Sequence, residues 1–274
     1  MNRGILKFSL NLIILLFSLS CIFPIVWIFY SSFKTQSEFM LSPLALPSSL
    51  AFDNVVSVIE QTKMGLYVLN SFRNTTISVV FIVLISFFTG YFLSRFRFRG
   101  RNFLYTYFTL GMLIPLHALL VPLYIQLRAF NAINQWFTLL FPYVAFGLPI
   151  GIILVESYIG TIPKELEEAA FIDGSSFTRT LFTIVLPLAS PILATVAIIQ
   201  FFQTWNEFAF ALILVTKEAL RTVPVGLTVF KSAYITDYPR LMAAIIITML
   251  PVMILYFSFS KRVMEGMTTG AVKG

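Results

Sequence analysis

The side chains that most often carry enzyme chemistry are scarce in this chain. It has one histidine, His117, and one cysteine, Cys21, in 274 residues. A single histidine excludes a multi-histidine metal site, and a single cysteine excludes both a zinc-binding cysteine cluster and an intrachain disulfide. No Gly-x-x-x-x-Gly-Lys loop occurs, so the chain has no recognisable module for nucleotide hydrolysis. We therefore expect no metal, no cofactor and no catalytic residue, and we interpret His117 as a packing residue.

Acidic residues form a clearer pattern, because four of the twelve lie within residues 161–174. They are Glu165, Glu167, Glu168 and Asp173. Pro163 suits the first turn of a helix, the glutamates suit the positive end of its dipole, and Gly174 is a typical helix stop. Two serines then offer an N-cap for a second short helix through Phe182. The segment predicts a helix–turn–helix hairpin within the loop 160–183.

One face of the first hairpin helix is predicted to be small and mainly apolar. Leu166, Ala169, Ala170 and Asp173 follow the i, i+3, i+4, i+7 spacing of a helix face. Two interpretations remain open at this point. A shallow alanine patch with a carboxylate rim would form a docking knob whose charges orient a soluble partner. The same pattern also fits a surface helix that covers the ends of neighbouring helices.

The amino-acid composition indicates whether the protein that carries this hairpin is soluble or membrane-embedded. The chain is 58% hydrophobic and 11% charged, with a mean hydropathy of +0.88. Soluble domains are about 45–50% apolar and about 25% charged, so this chain cannot build a water-facing surface. Both a soluble enzyme and a disordered protein are excluded. We predict an all-α polytopic membrane protein.

Six apolar stretches are long enough to cross a bilayer, which takes about 20 residues each. They are Phe8–Phe33, Asn74–Ser94, Phe103–Leu127, Trp136–Tyr158, Ile184–Trp205 and Leu241–Ser260. We treat residues 1–274 as a single transmembrane domain. Pro115 and Pro122 lie inside the third stretch, where each deletes a backbone donor and bends the helix. A secretory signal peptide is a weaker interpretation of the first stretch, because its apolar run is far longer than a 7–15-residue signal core.

Basic residues predict the orientation of these spans. The run Arg95-Phe96-Arg97-Phe98-Arg99-Gly100-Arg101 separates the second and third spans. We interpret it as a cytoplasmic topology anchor rather than a nucleic-acid patch, since short Lys/Arg-rich loops stay inside. Both termini are then cytoplasmic. The long first outer loop contains a predicted helix, Asn54–Gln61, with Asp53 as its cap.

Three sequence patterns carry a resemblance to a known family. Glu168-Ala169-Ala170 is followed after three residues by Gly174 and after nine more by Ile184-x-Leu186-Pro187. This resembles the signature of permease subunits of ATP-binding-cassette importers. Phe202-x-x-Trp205-Asn206-Glu207-Phe208 is similar to the fifth-span pattern of carbohydrate permeases. The ending Met264–Gly274 looks like the tail of the maltose-type second permease subunit, and the resemblance covers the whole chain.

The resemblance implies a role for each of these motifs. The hairpin would be the coupling helix that docks on a cytoplasmic ATPase. The residues that carry over to it are Glu168, Ala169, Ala170, Asp173, Gly174, Ile184, Leu186 and Pro187. The tail Met264–Gly274 would be a second ATPase contact. Pathway or outer-loop contacts would come from Gln203, Trp205, Asn206 and Glu207.

The resemblance also implies partners and a location. The chain would work in the bacterial inner membrane with a second homologous permease, two ATP-binding subunits and an extracytoplasmic sugar-binding protein. The identity of the sugar is not readable from the sequence.

Two rival functions need features that the sequence lacks. An ion-coupled secondary transporter needs ionisable residues at mid-membrane and usually two related halves. Glu156 and Glu207 fall near predicted span ends, where we expect them to reach the membrane interface rather than form a proton relay. A membrane-embedded enzyme needs a nucleophile–base or metal constellation, for which one histidine and one cysteine are insufficient.

Overall fold

The structure is a computed structural model that describes residues 3–50, 52–231 and 236–271. Apart from an isolated antiparallel bridge between Lys231 and Thr236, the regular structure in these ranges is helical. The α-helices are α1 (Arg3–Ser31), α2 (Gln36–Leu41), α3 (Asp53–Gln61), α4 (Met64–Arg95), α5 (Arg101–Gly111), α6 (Leu120–Ala129), α7 (Leu140–Ile159), α8 (Glu165–Ile172), α9 (Phe177–Thr180), α10 (Leu186–Trp205), α11 (Ala209–Leu214), α12 (Val223–Gly226) and α13 (Tyr238–Ala271). The predicted all-α membrane fold is confirmed.

Among the described residues, five helical segments are long and apolar enough to cross a membrane. They are Lys7–Ser31, Met64–Arg95, Leu140–Ile159, Phe177–Trp205 and Tyr238–Leu255. A bent pair, Arg101–Gly111 with Leu116–Ala129, makes six if it counts as one span. The two halves of this pair meet at 94°, so the predicted third span is not one continuous helix. Pro115 lies at the break and cannot donate the backbone hydrogen bond that would continue α5.

The chain divides into two compact units. The first comprises Met1–Leu66 and Gly226–Pro251, and the second comprises Tyr67–Val225 and Val252–Gly274. In the first unit, the most apolar stretch of α1 contains no buried residue, which suits a helix that faces lipid or another subunit.

The helix predicted in the first loop is present as α3, but its cap differs from the prediction. Asp53 is the first residue of α3 and makes no side-chain cap, because Phe52 occupies the N-cap position. The predicted Asp53 cap is therefore wrong, although the helix itself is present.

In the first unit, the segment that follows α1 is organised around a buried cation. The Lys34 side chain is 1% exposed, and its Nζ donates to the carbonyl oxygens of Ser42 at 3.1 Å and Pro43 at 2.9 Å. Burial lowers the pKa of this ammonium, while the nearby Glu38 carboxylate opposes that shift. The Glu38 carboxylate accepts hydrogen bonds from the Ser48 hydroxyl and from backbone amides, which lower its pKa to about 2.

The second unit is built on close contact between α4, α7 and α10. Its core contains Ile82, Phe87, Tyr91, Val155, Ile159, Leu181, Val185, Ala189, Ile192, Leu193 and Val196. Gly147 and Gly151 of α7 lie so close to α4 that an added Cβ would overlap with Ile82 at Gly147 and with Ser86 at Gly151. Small residues at this spacing let membrane helices approach closely. The tight packing fixes the positions of these three helices relative to one another.

Candidate functional site

The predicted hairpin is present, with one difference in its second arm. Helix α8 runs Glu165–Ile172, and Gly174 adopts a φ of +82°, which glycine reaches without the penalty of a Cβ. The Ser176 hydroxyl accepts a hydrogen bond from the Arg179 amide at 3.3 Å and so caps α9. However, α9 does not end as a separate short helix near Phe182. It continues through a π-helical turn, Leu181–Val185, into the membrane helix α10.

One face of α8 is held against its own chain by a buried ion pair. Glu167 and Ala170 are the buried residues of this helix. The Glu167 carboxylate accepts hydrogen bonds from Arg95 Nε at 2.6 Å and from the Tyr91 hydroxyl at 2.7 Å. Arg95 also donates to the carbonyl oxygen of Ile162 at 2.9 Å. Since Tyr91 and Arg95 belong to the last turns of α4, the ion pair fixes α8 to a membrane-spanning helix.

This arrangement corrects two interpretations made from the sequence. Glu167 does not belong to a carboxylate rim, because its side chain is only 9% exposed. Arg95 is more than a topology anchor, because its side chain is 6% exposed and neutralises that carboxylate. A helix turns about 100° per residue, so Glu165, Glu167 and Glu168 cannot all point the same way. That spacing was the available signal that one glutamate had a different role.

Outside its buried face, α8 exposes three large apolar side chains, with Ile172 opposite the buried face and Leu166 and Phe171 on its two flanks. Ile172 is 86% exposed, and Leu166 and Phe171 are each 44% exposed. Ala169 lies between Leu166 and Ile172 at i−3 and i+3, and it is exposed as well. Glu168, Asp173 and Gly174 are also exposed. We call this set of seven residues, Leu166, Glu168, Ala169, Phe171, Ile172, Asp173 and Gly174, the α8 outer face.

Ala170 does not join the outer face, although its sequence spacing placed it beside Ala169. It is 8% exposed and points to the same side of α8 as Glu167. Its small size therefore allows close packing within this chain.

The three remaining residues of the predicted signature lie beyond the hairpin. Ile184 and Leu186 are half-buried and Pro187 is exposed. Pro187 closely follows the π-helical turn and lacks the amide that an unbroken α-helix would use.

A second ion pair lies near the first and was also missed from the sequence. Arg101 Nη2 lies 2.9 Å from Glu156 Oε1, and Arg101 Nε donates to the carbonyl oxygen of Leu93 at 2.6 Å. The pair joins the start of α5 to the end of α7. Its side chains are 31% and 16% exposed, so water reaches this pair more readily than the pair of Arg95 and Glu167.

The four residues predicted as pathway or outer-loop contacts differ in exposure and in local role. Gln203 and Asn206 are exposed, whereas Trp205 is 3% exposed and stacks on Phe201. The Glu207 carboxylate accepts hydrogen bonds from the amides of Phe210 at 2.7 Å and Ala211 at 3.1 Å, so it serves α11 as a local cap. The Asn206 side-chain amide donates to the carbonyl oxygen of Phe202 at 2.9 Å, so Gln203 is the more available of the two exposed side chains for a ligand or a partner.

Two further predictions concern His117 and the C-terminal tail. His117 was predicted to be a packing residue, but it is exposed in a short 3₁₀ turn, Leu116–Leu119, and is not packed inside this chain. The side chains of the tail Met264–Gly274 lie outside the described part of the structure.

Comparison with known proteins identifies the class of this chain. Residues 82–268 match the family described as the inner membrane component of binding-protein-dependent transport systems. The chain belongs to this family. The predicted family and the assignment to a transport subunit rather than an enzyme are thereby confirmed.

Relatives match this permease over nearly its whole length. The probable ABC transporter permease YurM of Bacillus subtilis (strain 168) is 37% identical and covers 97% of this chain and 88% of its own. The trehalose/maltose permease MalG of Thermococcus litoralis is 36% identical over the full length of both chains. Among solved structures, a bacterial ABC transporter that imports the acidic polysaccharide alginate matches with a TM-score of 0.77. It is 25% identical and covers 95% of this chain and 98% of its own.

Proposed function

We propose that this permease forms one half of the translocation pathway of an ATP-driven sugar importer. Relatives that carry trehalose and maltose, and a structural neighbour that carries alginate, support a carbohydrate substrate. The working assembly would contain a second homologous permease, two cytoplasmic ATP-binding subunits and an extracytoplasmic sugar-binding protein. A self-sufficient ion-coupled transporter is not favoured, because the family depends on binding proteins.

The α8 outer face is the surface through which we infer that the permease engages an ATPase subunit. The single observation that carries this inference is the exposure of Ile172, Leu166 and Phe171 on a helix whose other face is anchored in the chain. Contiguous exposed apolar side chains rimmed by polar residues are typical of protein interfaces. The buried pair of Arg95 and Glu167 then carries motion between the docked helix and α4.

The charges on this face favour a protein partner over the bilayer surface. Glu168 and Asp173 flank the apolar side chains, and both are exposed. The cytoplasmic leaflet is negatively charged and attracts basic rather than acidic segments. A partner with a basic rim around an apolar cleft would match the outer face in both respects. Docking is therefore a better account of α8 than a role as a membrane-surface helix.

Replacing Ile172 tests this docking surface. In the coexpressed transporter, Ile172→Ser should lower the amount of ATPase that copurifies with the permease by at least about tenfold, because buried interface anchors dominate binding energy. Sugar uptake should fall in parallel. The matched control is Ile59→Ser, which changes an isoleucine that is 63% exposed on the short helix α3. Equal ATPase recovery in the two variants would exclude α8 as the docking element.

We further propose that both termini are cytoplasmic, since six spans and the arginine-rich segment 95–101 favour that orientation. Alkaline phosphatase fused after Gly274 should then be inactive, because it needs the oxidising outer compartment to form its disulfides. The same enzyme inserted after Thr62 in the outer loop should be active and serves as the control. Phosphatase activity from the Gly274 fusion would contradict the six-span orientation.

A further inference from the structure

The loop between α4 and α5 borders an open cavity of about 840 Å³. Its lining combines basic and aromatic side chains, among them Arg97, Arg99, Lys164, Phe96, Phe98 and Phe103. Pockets of about 300–1,000 Å³ hold drug-sized ligands. The cavity is thus large enough for the headgroup of a phospholipid.

The arginines of this loop divide into two pairs with different roles. Arg95 and Arg101 are bound to Glu167 and Glu156, so their charges are neutralised within the chain. Arg97 and Arg99 are exposed, and among the described residues neither forms an ion pair. Lys164 is also exposed and without an ion pair in the described part of the chain. Three positive charges without an ion pair therefore line one cavity, and its lining contains no carboxylate.

The aromatic residues of the cavity indicate what kind of anion it accepts. Phe96, Phe98 and Phe103 are 40%, 42% and 72% exposed, and the first two alternate with the arginines along the loop. Phe103 also begins an exposed apolar surface on α5 that continues through Tyr107 and Leu110. Helix α5 has no buried residue. The cavity is therefore continuous with a surface that suits acyl chains, whereas a free phosphate would need only the cations.

We propose that this cavity binds the headgroup of an anionic phospholipid of the cytoplasmic leaflet. Arg97, Arg99 and Lys164 would contact the phosphodiester, and the phenylalanines would contact the upper part of the acyl chains. Basic pockets between transmembrane helices on the cytoplasmic side are known to take such headgroups. Lys164 is the residue directly before α8, so the lipid would lie against the first turn of the helix that carries the docking face. This proposal rests on the cytoplasmic orientation proposed above for the arginine-rich loop, but not on the ATPase docking.

Lipid retention by the assembled transporter tests the site. The detergent-purified complex is incubated with equal amounts of phosphatidylglycerol and phosphatidylcholine, and bound lipid is counted by native mass spectrometry. We expect phosphatidylglycerol to be retained in preference. The variant R97Q/R99Q/K164Q should weaken that retention at least about tenfold, since each basic residue near a membrane surface contributes to anionic-lipid binding. The charge-preserving variant R97K/R99K should keep most of it.

Two controls distinguish this site from a general effect of positive charge and from a site for a free anion. The variant R128Q/K217Q/K231Q removes an equal number of positive charges at exposed positions outside the cavity and should leave phosphatidylglycerol retention unchanged. Equal retention in the wild type and in R97Q/R99Q/K164Q would overturn the proposal. Displacement of the lipid by millimolar inorganic phosphate would also overturn it, because the site would then be one for a free anion. The proposal would fail too if the isolated permease binds phosphatidylglycerol but the assembled transporter does not, because the cavity would then be covered by the ATPase.

Discussion

Arg95→Met should destabilise the permease by about 3–5 kcal/mol, the usual cost of leaving one partner of a buried ion pair uncompensated. The Glu167 carboxylate would keep only the hydrogen bond from the Tyr91 hydroxyl in a site that is 9% exposed. Helix α8 would lose its attachment to α4, so we also expect sugar uptake to fall well below the wild-type rate. Thermal unfolding of the detergent-purified protein and uptake by whole cells are the two measurements.

The second ion pair is the matched control for this prediction. Arg101→Met breaks a pair whose side chains are 31% and 16% exposed, so water compensates for the lost partner and the cost should be nearer to about 1 kcal/mol. The double variant R95M/E167L should recover much of the stability lost in Arg95→Met, because an apolar pair removes the orphaned charge. A cost for Arg95→Met no greater than that for Arg101→Met would show that the buried pair does not hold α8.

Gly151→Ala should destabilise the helix bundle by about 1–3 kcal/mol, the typical cost of overpacking a close contact. The added methyl group would overlap with Ser86 Oγ and lie 3.2 Å from Ser86 Cβ. Both residues are buried, Gly151 in α7 and Ser86 in α4, so there is little free space to relieve the overlap. The midpoint of thermal unfolding should drop clearly.

Removing the Ser86 hydroxyl should rescue that variant. Ser86 is fully buried, and its Oγ has no hydrogen-bond partner among the described residues, so Ser86→Ala alone should change stability little. In G151A/S86A the overlapping oxygen is gone, and most of the lost stability should return. The control is Gly65→Ala, where an added Cβ meets nothing within 4 Å and helix propensity favours alanine. Failure of S86A to rescue G151A would place the strain elsewhere.

The hairpin illustrates what local sequence information predicts well. The signals that define it act within a few residues along the chain: the glutamates of the first turn, the helix stop at Gly174 and the cap at Ser176. Helix α8, its end and the N-cap of α9 all lie close to their predicted positions. The length of the second helix of the hairpin was harder to predict. Whether α9 stops or runs on into α10 depends on a π-helical turn at Leu181–Val185, and no short-range pattern marks such a turn.

The third span shows the same limit in another form. Its composition predicts a membrane segment, and the structure places two apolar helices there. Pro115 and Pro122 predict a bend, yet the 94° angle is larger than a proline kink requires. Leu127 of α6 packs in one core cluster with Tyr143 of α7 and Phe210 of α11, and because these residues lie far apart in sequence, local patterns do not predict the direction of α6.

Composition and short motifs were enough to establish the membrane class, the apolar spans, the acidic hairpin and the family, because these features act locally and do not depend on distant neighbours. Which side of α8 is free could be learned only from the packed helices. Packing buries Glu167 and Ala170, exposes Ile172, and pairs Arg95 with Glu167 across 72 positions of chain. The physical reason is that burying a charge is costly unless partner groups compensate it, and the partners of Glu167 come from a different helix, so only the packing of whole helices brings them together.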